Sequence, residues 1–258
     1  MFPLSSLAVT TGCSSTPANI ARARAIASRC GVSYVPRTGS LAKTCAQADV
    51  TMLYIVEKQR ESLRLPTGER IGVDQGMLNM RLHTGRDHPL IRATSIDNVQ
   101  RLMDGTLGLA HDALHLASVW NRPVLGAEAS PVVFSLLESG LEQLAATAGP
   151  VSAAAQWIEP RLGRSSDILM NVEVGSVDVL LLAPMFRSPR NAAPGYPLFR
   201  NVAVHDPLDE ETLDAARDAH VRRIVLKLDR GSPPPNFWKG SSEHVIRGKS
   251  NVYWLWDL

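Results

Sequence analysis

Short apolar runs alternate with amphipathic stretches along the first sixty residues. LAVTT (7–11) is β-branched and reads as a strand. In the following PANIARARAIASRC (17–30), Ala18, Ala21, Ala25 and Cys30 share a helical face while Arg22, Arg24 and Arg29 project outward. A strand at 32–36, a helix at 41–48 and the buried run VTMLYIV (50–56) continue the alternation. SLRLP and RIGVD flank the turn PTGE (66–69), which predicts a hairpin. This is the pattern of a small α/β unit, and we expect a small N-terminal α/β domain over 1–85 and a larger domain over 86–258. The polar, basic stretch MRLHTGRDHPLIR (80–92) between them reads either as a linker or as a substrate-facing segment.

From residue 99 the alternation lengthens. Strands are expected at 99–103, 123–127, 155–159, 176–184 and 221–228, with helices at 110–119 and 131–144 and SNVYWLWDL as the closing strand. Strands alternating with helices predict an open, mostly parallel sheet covered on its faces, so the fold class is α/β.

Composition adds little to this picture: 45% apolar and 20% charged residues in 258 are ordinary for a globular chain, and no run is apolar for long enough to cross a bilayer. With no basic, apolar leader at its start, the chain is expected in the cytoplasm. Charge changes the picture more. Residues 1–95 carry 12 Lys plus Arg against 6 Asp plus Glu, and the remainder 15 against 19, so a basic front third precedes an acidic body. That asymmetry permits an anionic partner such as RNA, although a charge bias of this kind is usually just a solvated face. Cys13, Cys30 and Cys45 lack CxxC spacing and read as buried thiols. The histidines, including His111 and His115 in HDALH, show no metal-ligand pattern, so no metal is expected.

The chemistry concentrates at LMDGTLGLAHDA (102–113), where a strand runs through Asp104, Gly105, Thr106, Leu107, Gly108 and Leu109 into a helix. Such a turn presents backbone amides to a cofactor, and Gly105 and Gly108 permit positive φ and close approach. Roughly 20 residues on, at the end of the next strand, Glu128 is placed to accept hydrogen bonds from two ribose hydroxyls. Asp104 at the strand end suits the ammonium of S-adenosylmethionine, whereas Asp112 in the first helical turn opposes the pyrophosphate of a dinucleotide. The order therefore favours S-adenosylmethionine. A tight turn with Asp112 merely complementing the helix uses the same residues.

DGTLGLAHDALHLASV (104–119), EASPVVFSLLESGL (128–141), VDVLLLAPMF (177–186) and RRIVLKLDRGSPP (222–234) together resemble the ribosomal RNA small-subunit methyltransferase J family. TTG (10–12), YVPR (34–37) and DHPLIRA (87–93) in the front third are similar to its uncharacterised relatives in Gram-positive bacteria. The resemblance implies a Rossmann-like class I methyltransferase sheet, S-adenosylmethionine as donor, and guanine N2 of small-subunit ribosomal RNA as acceptor. It implies Asp104, Gly105, Thr106, Gly108, Leu109 and Asp112 in the cofactor loop, Glu128 at the ribose, and Ser166 or Asp167 near the adenine; Asp167 also reads as a helix N-cap. Pro184, Met185 and Phe186 would form the substrate wall, where Phe186 reads as a stacking ring or as simple packing; Arg187 and Arg190 would follow in a loop over it or in a solvated one, and Lys227 would reach RNA phosphate or the base from the same rim or snorkel at its strand end.

One position departs from the family. Its members carry an acidic residue before PMF, and this chain has Ala183. A carboxylate there would orient an exocyclic amine and help accept its proton, which a methyl group cannot do. Two functions therefore stand: an RNA methyltransferase, or a protein that binds S-adenosylmethionine with lost or altered catalysis.

Overall fold

The computed structural model describes residues 6–58, 60–73, 85–185, 195–205, 208–238 and 244–258. The chain divides into two compact units, one of residues 1–73, 130–143 and 192–204, the other of 74–129, 144–191 and 205–258.

The first unit holds β1 (Leu7–Thr11), α1 (Pro17–Cys30), β2 (Ser33–Tyr34), α2 (Leu41–Ala48), β3 (Met52–Val56), β4 (Glu61–Arg64) and β5 (Arg70–Ile71). The sheet order is β2-β1-β3-β4-β5, with β1 parallel to both neighbours and the β4–β5 hairpin antiparallel. Helix α1 begins where expected because Thr16 accepts from Asn19 N at 3.2 Å and Pro17 needs no amide partner. It stops at Gly31, whose φ of +65° suits glycine. Cys30 and Cys45 are buried, but Cys13 is exposed in the loop after β1. Glu61 is buried and receives both the Tyr54 hydroxyl and the Arg22 guanidinium. Burial raises the pKa of its carboxyl despite those donors.

The second unit is built on a seven-stranded sheet in the order β11-β12-β10-β9-β6-β7-β8. Its strands are β6 (Leu102–Asp104), β7 (Val124–Glu128), β8 (Ile158–Leu162), β9 (Val179–Leu182), β10 (Arg223–Asp229), β11 (His244–Arg247) and β12 (Asn251–Asp257). Five are parallel, from β10 through β9, β6 and β7 to β8, and β12 runs antiparallel between β10 and β11. The chain goes from β6 to β7 on one side and returns to β9 on the other, so a topological switch point lies at the carboxyl end of β6. Its helices, numbered in chain order with those of the whole chain, are α3 (Pro89–Ala93), α4 (His111–Trp120), α6 (Pro150–Gln156), α7 (Ser165–Leu169) and α9 (Glu210–Asp218), while α5 (Pro131–Ala145) falls almost wholly and α8 (Tyr196–Val202) wholly in the first unit. No helix among the described residues is long and apolar enough to cross a membrane.

The core of this unit packs Met103, Leu125, Leu180, Leu182, Ile224 and Leu226 against α9, with Trp238 and Trp256 edge to face at 5.0 Å. Two strands shift from their expected places. Gln100 N and Arg101 N donate to Asp178 Oδ2 at 2.7 and 3.0 Å rather than to a strand, which delays β6 to Leu102. Helix α6 claims the alanine run 153–155, so β8 starts at Ile158. Pro160, which has no amide to donate, is tolerated in β8 because that strand is an edge.

Candidate active site

The loop at the switch point is pinned from both sides. Gly105 N donates to Leu181 O of β9 at 2.8 Å, and Leu107 N to Ala127 O of β7 at 2.9 Å. Its two glycines serve different needs. Gly108 has φ of +54°, whereas Gly105 is required by crowding: a Cβ there would stand 2.7 Å from Leu182 Cδ2 and 3.0 Å from Ser165 Cβ. Two supports had no signal as site residues in the sequence. Gly126 within β7 leaves room for Leu107, since a Cβ would lie 2.3 Å from Leu107 Cδ2. Ala110, at the start of α4, takes a left-handed φ of +59° that a glycine would occupy without strain.

Asp104 ends β6 and is 1% exposed. Its Oδ1 accepts from Thr106 N at 3.0 Å, with the Thr106 hydroxyl at 3.4 Å. Burial, reinforced by the nearby Asp112 charge and opposed by the Thr106 amide and Lys227, pushes its pKa up to about 7. Glu128 ends β7, largely buried, and its Oε2 accepts from Gly108 N at 2.9 Å. The two carboxylates thus flank the loop, one before it and one bonded to its apex.

Lys227 of β10 is buried rather than on a rim. Its Nζ meets Asp112 Oδ2 at 2.5 Å, with side chains only 7% and 12% exposed. Asp112 therefore does not present an uncompensated charge at the start of α4. Asp104, Asp112 and Lys227 together carry a net negative charge when all are ionised, which matches a cationic group rather than a pyrophosphate.

Ser166 and Asp167 separate cleanly. The Ser166 hydroxyl is fully buried with no hydrogen-bond partner among the described residues, while Asp167 is exposed in the first turn of α7, whose N-cap is Arg164. The start of α7 lies against the loop through the Ser165 and Gly105 contact. An orphaned buried hydroxyl is the kind of group a bound cofactor satisfies.

Ala183 follows β9, and its amide donates to Thr106 Oγ1 at 2.6 Å. Hydrogen bonds thus link Asp104, Thr106 and Ala183 in one chain, Gly108 to Glu128, and Asp112 to Lys227. Leu109, Pro184 and Met185 are half-buried beside them in sequence. Phe186, Arg187 and Arg190 lie outside the described residues. Among the described residues no cluster of three or more His, Cys, Asp or Glu is arranged to hold a metal.

Comparison with known proteins agrees with this geometry. The model of a family of SAM-dependent methyltransferases (SAM_MT) matches residues 46–256. The ribosomal RNA small subunit methyltransferase J of Pseudomonas fluorescens (strain Pf0-1) is 31% identical over 190 residues, covering 70% of each chain. The uncharacterized protein YpiP of Bacillus subtilis (strain 168) is 26% identical over 186 residues, 70% of this chain and 72% of that one. In fold, the SAM-dependent methyltransferase NGO1261 of Neisseria gonorrhoeae superimposes with a TM-score of 0.69 at 19% identity, over 96% of this chain and 95% of that one. These matches favour the transferase over a protein that only binds the cofactor. The sheet order and the family match lead to one conclusion: the chain belongs to the family of S-adenosylmethionine-dependent methyltransferases.

Proposed function

We propose that this methyltransferase acts on RNA in the cytoplasm, at a base nitrogen, with guanine N2 of small-subunit ribosomal RNA as the acceptor and ribosomal RNA processing as its setting. The observation that carries the cofactor assignment is the pair Asp104 and Glu128 flanking the Gly108 turn at the switch point, with the Ser166 hydroxyl orphaned nearby. The RNA assignment is supported by the similarity to the ribosomal RNA methyltransferase of Pseudomonas fluorescens and by the basic front third.

In this reading Asp104 meets the ammonium, Glu128 the ribose hydroxyls and Ser166 the adenine, while the Lys227 and Asp112 pair holds the start of α4. The bound cofactor supplies an electrophilic methyl group on a sulfonium. The protein has then to exclude water and to present the acceptor nitrogen with its lone pair aligned. Ala183 has no side-chain acceptor for the amine, so orientation falls to main-chain carbonyls of the Ala183, Pro184 and Met185 wall.

Calorimetry with S-adenosylmethionine, S-adenosylhomocysteine and NAD, followed by tritium transfer to undermethylated small ribosomal subunits and nucleoside mass spectrometry, tests this. Binding of both adenosyl compounds but not NAD is expected, with label in N2-methylguanosine. Glu128→Gln keeps an acceptor for Gly108 N and should lower affinity by about tenfold, or ~1.4 kcal/mol. Preference for NAD would overturn the cofactor assignment, and label confined to protein or to other nucleosides would overturn the acceptor.

A further inference from the structure

Residue 183 is where this chain lacks the acidic side chain, yet its main chain is held with care. The Ala183 amide donates to Thr106 Oγ1 at 2.6 Å, and Thr106 reaches Asp104 Oδ1 through both its amide at 3.0 Å and its hydroxyl at 3.4 Å. A hydroxyl has one hydrogen, so accepting from Ala183 leaves that hydrogen for the carboxylate and gives the relay a single direction. Pro184 follows immediately, its ring fixing φ and restricting the residue before it. The Ala183 carbonyl therefore sits on backbone constrained on both sides, by the Thr106 hydroxyl at its amide and by the Pro184 ring after it.

We propose that Thr106 is the positioning residue of the acceptor wall, holding the main chain at Ala183 so that backbone carbonyls receive the acceptor amine in place of the missing side chain. This rests on the proposed transfer to a base nitrogen. It assigns Thr106, a member of the cofactor loop by sequence, to the acceptor side of the site, and it ties the two sides together through Asp104.

The test uses full-length Thr106→Val, which keeps the shape and removes the hydroxyl, and Thr106→Ser, which restores it. Three quantities are measured: affinity for S-adenosylmethionine by calorimetry, kcat and KM for transfer to undermethylated small subunits, and hydrogen exchange of the residue 183 amide. Thr106→Val is expected to bind the cofactor within about threefold of wild type, while kcat falls about 10- to 100-fold and the amide at 183 exchanges faster. Thr106→Ser is expected to recover both to within about threefold. Unchanged kcat, a kcat loss that serine does not rescue, or a parallel loss of cofactor affinity overturns the assignment and returns Thr106 to the cofactor loop. A wild-type protein that transfers no methyl group to ribosomal RNA refutes the RNA reading instead. In that case the exchange rate at residue 183 still decides, and equal rates in wild type and Thr106→Val overturn the positioning role.

Discussion

Asp104→Asn should make the protein more stable and less able to bind its cofactor, and the gain should depend on pH in a defined direction. The folded protein holds the Asp104 carboxyl at a pKa of about 7, against 3.8 for an ordinary aspartate, chiefly through burial. An acid whose pKa is raised by folding keeps its proton in the folded state after the unfolded chain has released it. Stability therefore falls as pH rises through the window from about 4 to 7, and the full cost persists above it. At ~1.4 kcal/mol per pKa unit, that cost approaches roughly 4 kcal/mol at pH 8. Asparagine keeps an acceptor for Thr106 N but adds an NH2 to a fully buried place, a penalty of about 1–3 kcal/mol. The net expectation is a variant more stable than wild type by about 1–3 kcal/mol at pH 8, with the advantage lost or reversed near pH 5. Urea unfolding at pH 5, 6, 7 and 8 measures it. Calorimetry at the same pH values should show wild-type affinity for S-adenosylmethionine rising through neutrality as Asp104 ionises, and a weaker, flatter profile in the variant. A stability difference that stays constant from pH 5 to 8, or a wild type that is the more stable at pH 8, would refute the reasoning.

Other substitutions probe the supports of the site. Lys227→Met takes the buried cation from Asp112 and is expected to cost about 3 kcal/mol in urea unfolding, much of which Lys227→Met/Asp112→Leu should recover. Gly126→Ala drives a methyl group into Leu107 and should cost about 1–3 kcal/mol, relieved when Leu107→Ala is added. Asp209 caps α9 through Thr212 N at 3.0 Å and pairs with Arg164 at 2.7 Å, so Asp209→Ala should lower stability by about 1 kcal/mol with cofactor affinity unchanged.

The sequence made the site legible where function and local pattern coincide, and hid it where tertiary packing decides. Strands β1, β3, β7, β9 and β10 announce themselves as apolar runs, and α1 and α2 by capping residues and periodicity, because those signals are local. The antiparallel β12 has a local signal for being a strand but none for its neighbours, and β11 (HVIR) is too short and polar to announce itself at all. The same division runs through the site. Asp104 and Glu128 stand out in the sequence because each ends an apolar strand beside the glycine loop, and their carboxylates accept from Thr106 N and Gly108 N of that loop. Lys227 also sits near a strand end, where the sequence suggests a rim, but its ammonium is turned onto Asp112, on a helix 115 residues away in sequence. Gly126 carries no motif because its purpose is the space it leaves for Leu107. Gly105 reads in the sequence as room for positive φ and close approach of a ligand, whereas the space it leaves is taken by the Leu182 side chain of the neighbouring strand β9. Position along a strand was thus readable from the chain, and partnership between strands was not. Thr106 and Ala183 form such a partnership: the sequence marks position 183 as an absence, and only the 2.6 Å contact between them shows what supports the backbone there.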